Sequence, residues 1–180
     1  MNITLYGSAS DKIDRAYIDG VEELGRAMAQ RGHTMVFGAG STGLMGAAAR
    51  GMYSAGGHII GVTPHFMHEM EPVSDLCTEL IATETMAERK TIMEDKADAF
   101  IITPGGLGTL DEFFQILTLK ILNRQDKPIV LYNINSFWDS LLGVIGADIL
   151  KGFISPEVAN DFHICETPES ALKVIEESKK

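Results

Sequence analysis

The chain reads as an α/β protein with a mostly parallel sheet and helices on both faces, and three features carry that expectation. Short β-branched or apolar runs alternate with longer segments of helical period from one end to the other. Three strand ends pass into helices through glycine-bearing turns, at 7–10, 38–46 and 104–109. With 180 residues, 45% hydrophobic and 22% charged, residues 1–180 suit one globular domain, which at this length hides roughly 70% of its unfolded surface.

Taken in order, Ile3-Thr4-Leu5-Tyr6 is a short apolar strand, and the helical period over 11–31 ends at Gly32. A second strand at 34–37 leads through glycines to a helix over 42–55, and a third strand follows at 58–62. Residues 63–78 form the longest irregular stretch, a candidate lid or substrate-facing segment, with a short strand at 79–82 just beyond it. Thr85-Met86-Ala87-Glu88 has the capping-box pattern and opens a helix over 86–96. Ala99 starts a strand at 99–103, and Thr109-Leu110-Asp111-Glu112 offers a second capping box for a helix over 110–123. Another strand at 128–132 precedes a helix over 137–151 with Ser136 as its cap candidate. After a short strand at 162–165, Thr167-Pro168-Glu169 supplies a cap, a proline at the first helical position and an acid in the first turn of a helix over 168–178. No linker and no repeat of 20–50 residues interrupts the series.

Lys plus Arg at 15 against Asp plus Glu at 25 gives −10, which argues against a general nucleic-acid binder. Cys77 and Cys165 are far apart and spell neither a disulfide framework nor a zinc motif. The first residues run straight into Gly7 with no basic, long apolar leader, and nowhere do 18 apolar residues follow one another, so a soluble cytoplasmic protein with no membrane partner is expected.

If the main strands run in the doubly wound order 3-2-1-4-5, the first and fourth flank the crevice where the order reverses, and Gly7 to Ser10 face Pro104 to Thr109 across it. Glycines let backbone amides approach an anion, and a helix N-terminus adds unpaired donors, so phosphate is the natural guest. A tight turn alone is the competing account of the same glycines. Gly7, Ser8, Gly40 and Gly43 are secondary contact candidates on this ground. Gly38, Gly40 and Gly43 formally spell G-x-G-x-x-G, but they follow the second strand, and the apolar Ile59-Ile60-Gly61-Val62 stands where a ribose-binding acid would be needed. No G-K-[ST] triplet exists, which excludes a Walker A loop.

Among charged residues, Glu112 is either the return half of a capping box or a carboxylate one turn from a bound phosphate. Arg89 and Lys90 lie early in a helix, against its dipole, and Arg89 shares a face with Met86 and Met93. A solvated basic pair offset by Glu88 and Glu94 competes with an arginine aimed at an anionic ligand. His65, His68 and Glu69 match neither H-E-x-x-H nor H-x-x-E-H, and His33, His58 and His163 are isolated, so no metal is expected.

Pro104-Gly105-Gly106-Leu107-Gly108-Thr109-Leu110-Asp111-Glu112 resembles the P-G-G-x-G-T-x-x-E signature of the Lonely guy (LOG) family, and Arg89-Lys90 resembles its preceding R-K pair. These proteins are cytokinin riboside 5′-monophosphate phosphoribohydrolases and bacterial relatives, often mislabelled as lysine decarboxylases. Gly7-Ser8, Gly43-Leu44-Met45-Gly46, Gly61-Val62, Asp98-Ala99-Phe100, Lys127-Pro128 and Gly152-Phe153-Ile154-Ser155 extend the likeness over nearly the whole chain. Departures are Ala87 where many relatives have His, Leu107 where they have an aromatic or small residue, and Asp111 for the more usual glutamate.

The resemblance implies a Rossmann-like homodimer that splits a nucleoside 5′-monophosphate into base and ribose 5-phosphate without metal or redox cofactor. It also implies that Gly105, Gly106, Leu107, Gly108, Thr109 and the adjoining Leu110 hold the phosphate end, with Arg89 and Glu112 catalytic. Lys90, Asp111, Thr118 and Glu71 would line the pocket. Breaking the C1′–N bond builds positive charge on the ribose, which a carboxylate stabilises while orienting water, and an adjacent arginine would keep that carboxylate ionised. A non-catalytic nucleotide-binding module of the same fold and a dinucleotide oxidoreductase are the rival functions.

Overall fold

The computed structural model describes residues 1–69 and 72–178. Seven strands are laid down in chain order: β1 (Asn2–Tyr6), β2 (Thr34–Phe37), β3 (His58–Pro64), β4 (Glu79–Thr83), β5 (Ala99–Ile102), β6 (Ile129–Tyr132) and β7 (His163–Cys165). Between and after them, among the described residues, come six α-helices: α1 (Arg15–Gln30), α2 (Gly43–Ser54), α3 (Met86–Lys96), α4 (Leu107–Ile121), α5 (Asp139–Leu150) and α6 (Pro168–Glu177).

The strands form one sheet in the order β4-β3-β2-β1-β5-β6-β7, with every neighbouring pair parallel. The expected 3-2-1-4-5 core is therefore present, extended at each edge by one of the two short strands. Central strands covered on both faces must be apolar throughout rather than alternating. Ile3, Thr4, Leu5 and Tyr6 in β1 are accordingly all buried, the Thr4 hydroxyl being satisfied by the Met93 carbonyl at 2.9 Å. One face packs Leu24, Met28, Ala48, Met52, Leu172 and Ile175, from α1, α2 and α6. The other packs Met93, Phe113, Ile116 and Ile145, from α3, α4 and α5.

Several helix starts differ from expectation, each for a local reason. Helix α1 begins at Arg15 rather than 11, because the Asp14 carboxylate accepts the Ala16 amide while Asp11 is turned to the Gly43 amide at 2.7 Å. Its end is a Schellman arrangement, in which Gly32 and His33 amides return to the carbonyls of Ala29 and Met28. Ser136 does not cap α5: it sits in a 3-10 turn, and the Asn133 side chain takes the Trp138 amide at 2.7 Å instead. Helix α6 keeps its expected cap, Thr167, which exchanges hydrogen bonds with Ser170.

Helix α4 differs most. It starts at Leu107 with Gly106 as cap, so Thr109 is the third helical residue and Glu112 lies in the second turn. The Thr109–Glu112 capping box is thereby overturned, and the Glu112 carboxylate is free for other work.

Candidate active site

The sheet reverses between β1 and β5, and the loops leaving those strands are tied together by the Ser8 amide donating to the Pro104 carbonyl at 3.1 Å. Over this join lies a cavity of about 320 Å³. Its lining comes from the β1 loop (Gly7, Ser8, Ala9), α4 (Gly108, Thr109, Asp111, Glu112, with Gly106 before it) and α3 (Met86, Arg89), closed by Met45 and Met67.

Arg89 reaches it from a well-anchored helix. The Thr85 hydroxyl accepts the Glu88 amide at 3.1 Å, while the Glu88 carboxylate takes the Glu84 amide rather than that of Thr85. Sharing a face with the fully buried Met93 draws Arg89 inward, so that it is only 6% exposed. Its Nε donates to the Val62 carbonyl at 3.1 Å and its Nη1 to Glu112 Oε1 at 3.3 Å. One residue on, Lys90 Nζ donates to Asp111 Oδ2 at 2.9 Å, so two consecutive residues of α3 pair with two of α4. In the inner pair Arg89 is buried and the Glu112 side chain keeps 11% of its surface accessible, whereas Asp111 is exposed at the rim.

Burial pushes the Glu112 carboxyl up from 4.5 to about 7, with Asp111 adding to the rise and Arg89 and Lys90 opposing it. The expectation that Arg89 keeps Glu112 ionised is thus only partly met, since desolvation outweighs the cation. Burial, and then Glu112, likewise raise the buried Tyr6 phenol well above its ordinary range. A carboxyl poised near neutrality takes up or releases a proton at physiological pH, as a general acid or base must.

The two glycine-rich helix starts have different fates. At α2 the amides are already used: Gly43 donates to Asp11, and Leu44 and Met45 donate to the Ser8 carbonyl. At α4 the amides of Leu107, Gly108 and Thr109 make no hydrogen bond among the described residues, and Gly106 brings no capping side chain. Only the second is open to an anion.

Of the residues expected at the site, Gly7, Ser8, Arg89, Gly106, Gly108, Thr109, Asp111 and Glu112 meet in the cavity. Gly105 faces a neighbouring apolar pocket with Tyr17 and Phe137. Lys90 acts through Asp111, Leu107 is 86% exposed, and Leu110 packs against the core. Thr118 lies in an open groove on the outer face of α4, which shares Asp111 with the cavity. Gly40 bridges Val73, and neither it nor Gly43 lines the cavity. Glu71 lies outside the described residues. Ala9 falls within the 7–10 turn and Met67 within the 63–78 stretch expected to face the site, whereas Met45 was not foreseen, because an isolated methionine looks the same in sequence whether it fills a core or walls a cavity. Met86 was noted only as a neighbour of Arg89. No cluster of three His, Cys, Asp or Glu side chains with metal-site geometry occurs among the described residues.

A family model described as "Possible lysine decarboxylase" matches residues 45–175. A Mycobacterium tuberculosis protein named cytokinin riboside 5′-monophosphate phosphoribohydrolase is 40% identical over 84% of this chain and 81% of its own. An Arabidopsis thaliana enzyme of the same name is 36% identical over 93% of this chain and 76% of its own. A rice protein named as a probable enzyme of that kind is 34% identical over 97% of this chain and 70% of its own. Among solved structures, the molybdenum cofactor carrier protein of Chlamydomonas reinhardtii superposes with a TM-score of 0.73 at 22% identity, covering 98% of this chain and 96% of that one. The molybdenum cofactor binding protein of Rippkaea orientalis gives 0.72 at 22% identity, covering 99% and 96%. At such identity these two speak for the Rossmann-like fold.

Proposed function

The chain belongs to the LOG family, whose family model carries the lysine decarboxylase description, and on that footing we propose that it hydrolyses the N-glycosidic bond of a nucleoside 5′-monophosphate. AMP or a cytokinin-type N6-modified AMP is the substrate, and free base and ribose 5-phosphate are the products. The observation that carries this reading is the largely buried Arg89–Glu112 pair, at 3.3 Å, on a cavity bordered by the open amides of α4.

The substrate phosphate sits at the N-terminus of α4, on the amides of Leu107, Gly108 and Thr109, where helix dipole and free donors both favour an anion. That anchor sets the ribose about one turn from Glu112. As the C1′–N bond breaks, its electron pair leaves with the base and positive charge grows on the ribose. The ionised Glu112 stabilises that charge and orients a water, whose hydroxyl adds to C1′ while its proton is carried away, the base nitrogen being protonated in turn. Arg89 holds Glu112 in place and opposes its protonation. Gly7, Ser8 and Asp111 complete the walls, with Lys90 fixing Asp111.

The whole of 1–180 acts as one domain, and the working form is a homodimer in the cytoplasm that uses neither metal nor redox cofactor. Among the described residues no helix is long and apolar enough to cross a membrane. Incubation with a panel of nucleoside 5′-monophosphates, followed by chromatography for free base, tests the proposal. Base released from AMP is the expected result. Binding of AMP without release of base would make the protein a nucleotide-binding module instead.

A further inference from the structure

Gly38 follows β2 at the carboxyl edge of the sheet, beside the cavity but not on it. In sequence it is the first glycine of the G-x-G-x-x-G pattern, which the site leaves without a task. Its backbone is outside the left-handed region, so conformation does not demand glycine there. Space does. A Cβ on Gly38 would fall on Arg89 Nη2, well inside contact distance, and would lie 3.2 Å from Arg89 Cζ and from Met45 Sδ. The three nearest atoms all belong to side chains. Elsewhere in the same stretch the obstruction is main chain: a Cβ on Gly43 would lie 2.6 Å from the Ala9 carbonyl carbon, and one on Gly46 would meet the Ser41 carbonyl.

We infer that Gly38 is a positioning residue of this site, whose missing side chain is the space in which the Arg89 guanidinium rests. Nε is held by Val62, Nη1 faces Glu112, and the Nη2 corner lies over Gly38. Nη2 makes no hydrogen bond among the described residues. A methyl group at 38 would push this corner out and, because the fork is planar and rigid, would carry Nη1 away from Glu112. The inference rests on the proposed function only where activity is measured.

The test is Gly38→Ala, alone and with Arg89→Lys. Arginine ends in a flexible side chain that can yield, so Gly38→Ala folds, and its kcat on AMP falls roughly 10²-fold through misplacement of the pair. Lysine has no Nη2 corner to displace. Adding Gly38→Ala to Arg89→Lys therefore changes kcat by less than about twofold.

A second readout needs no substrate: denaturation stability of the protein relative to Glu112→Gln, from pH 4 to 9, with and without Gly38→Ala. The charged and titratable groups facing Glu112 are Arg89 and Lys90 from α3, Asp111 from α4 and Tyr6 from β1. Displacing Arg89 leaves Lys90 as the cation among them, so the upper limit of this pH dependence, set by the folded-state carboxyl, moves up by about one unit. Parental kcat together with an unmoved upper limit overturns the inference, as does an equal kcat loss in the Arg89→Lys background. If Gly38→Ala alone does not fold, a folded double variant supports the inference and an unfolded one overturns it. If the parental protein releases no base from AMP, the proposed function fails, and the stability readout still decides the role of Gly38.

Discussion

Glu112 is a carboxylate that the fold keeps close to half protonated at neutral pH. Gln at this position preserves shape and can still accept from Arg89, but it carries no charge. Glu112→Gln is therefore expected to lower turnover roughly 10²-fold or more while nucleotide binding persists, as single-turnover kinetics and calorimetry would show. The same residue makes stability depend on pH. Its folded value of about 7 lies above the ordinary 4.5, so between those values the folded chain holds more protons than the unfolded one. Stability contributed at this site is thus full below about pH 4.5, falls as pH rises through 7, and is then flat. Relative to Glu112→Gln, the parental protein should lose up to about 3 kcal/mol between pH 4.5 and 8 in urea titrations. A difference that does not vary with pH would mean that Glu112 is solvated. In sequence, Glu112 was visible as important but ambiguous between cap and catalyst. The cap reading ended only with the position of the first helical residue, which a run of Gly106, Leu107 and Gly108 does not announce.

At the scale of elements, helix starts decide what the glycine-rich turns do. Helices α2 and α4 both follow a strand through glycines, yet Ser8 and Asp11 consume the first amides of α2 and leave those of α4 open. If those amides are the phosphate handle, AMP should exceed adenosine in kcat/KM by at least about tenfold, since hydrogen bonds to a charged group are worth about 1.5–3 kcal/mol each. Equal turnover of the two would remove the handle. Helix α6 gives a purely structural counterpart: Thr167 and Ser170 bond reciprocally at its start. Thr167→Ala should cost about 1 kcal/mol in chemical denaturation with kcat unchanged. That cap was legible because Thr167, Pro168 and Glu169 are adjacent in sequence. Ser136 misled because a 3-10 turn and the side chain of Asn133 intervene, and neither leaves a local signature.

For the whole molecule, the apolar surface left on the α4 and α5 side is the outstanding feature. Phe114, Ile121, Leu122, Val144 and Leu150 are all more than 40% exposed, and Phe153, just after α5, is 82% exposed. A symmetric pairing of two chains would cover them. Light scattering at low micromolar concentration should return about twice the 19.6 kDa chain mass, and a clean monomer would leave this surface unexplained.

The alternation of apolar runs with helical segments was enough to specify a parallel sheet, because strands buried on both faces must be apolar throughout and crossovers must be helical. The pairing of Arg89 with Glu112, by contrast, spans 23 residues and joins two helices, and it exists because both point toward the same reversal of the sheet. Nothing local records that meeting, nor the desolvation that sets the Glu112 carboxyl near neutrality. The same holds for Gly38, which in sequence is one glycine of a weak cofactor pattern. Only packing from β2 and α3 reveals that its side chain is absent where Arg89 must lie. Periodicity and capping are properties of neighbours along the chain. Electric environment and excluded volume are properties of neighbours in space, and these the tertiary structure alone decided.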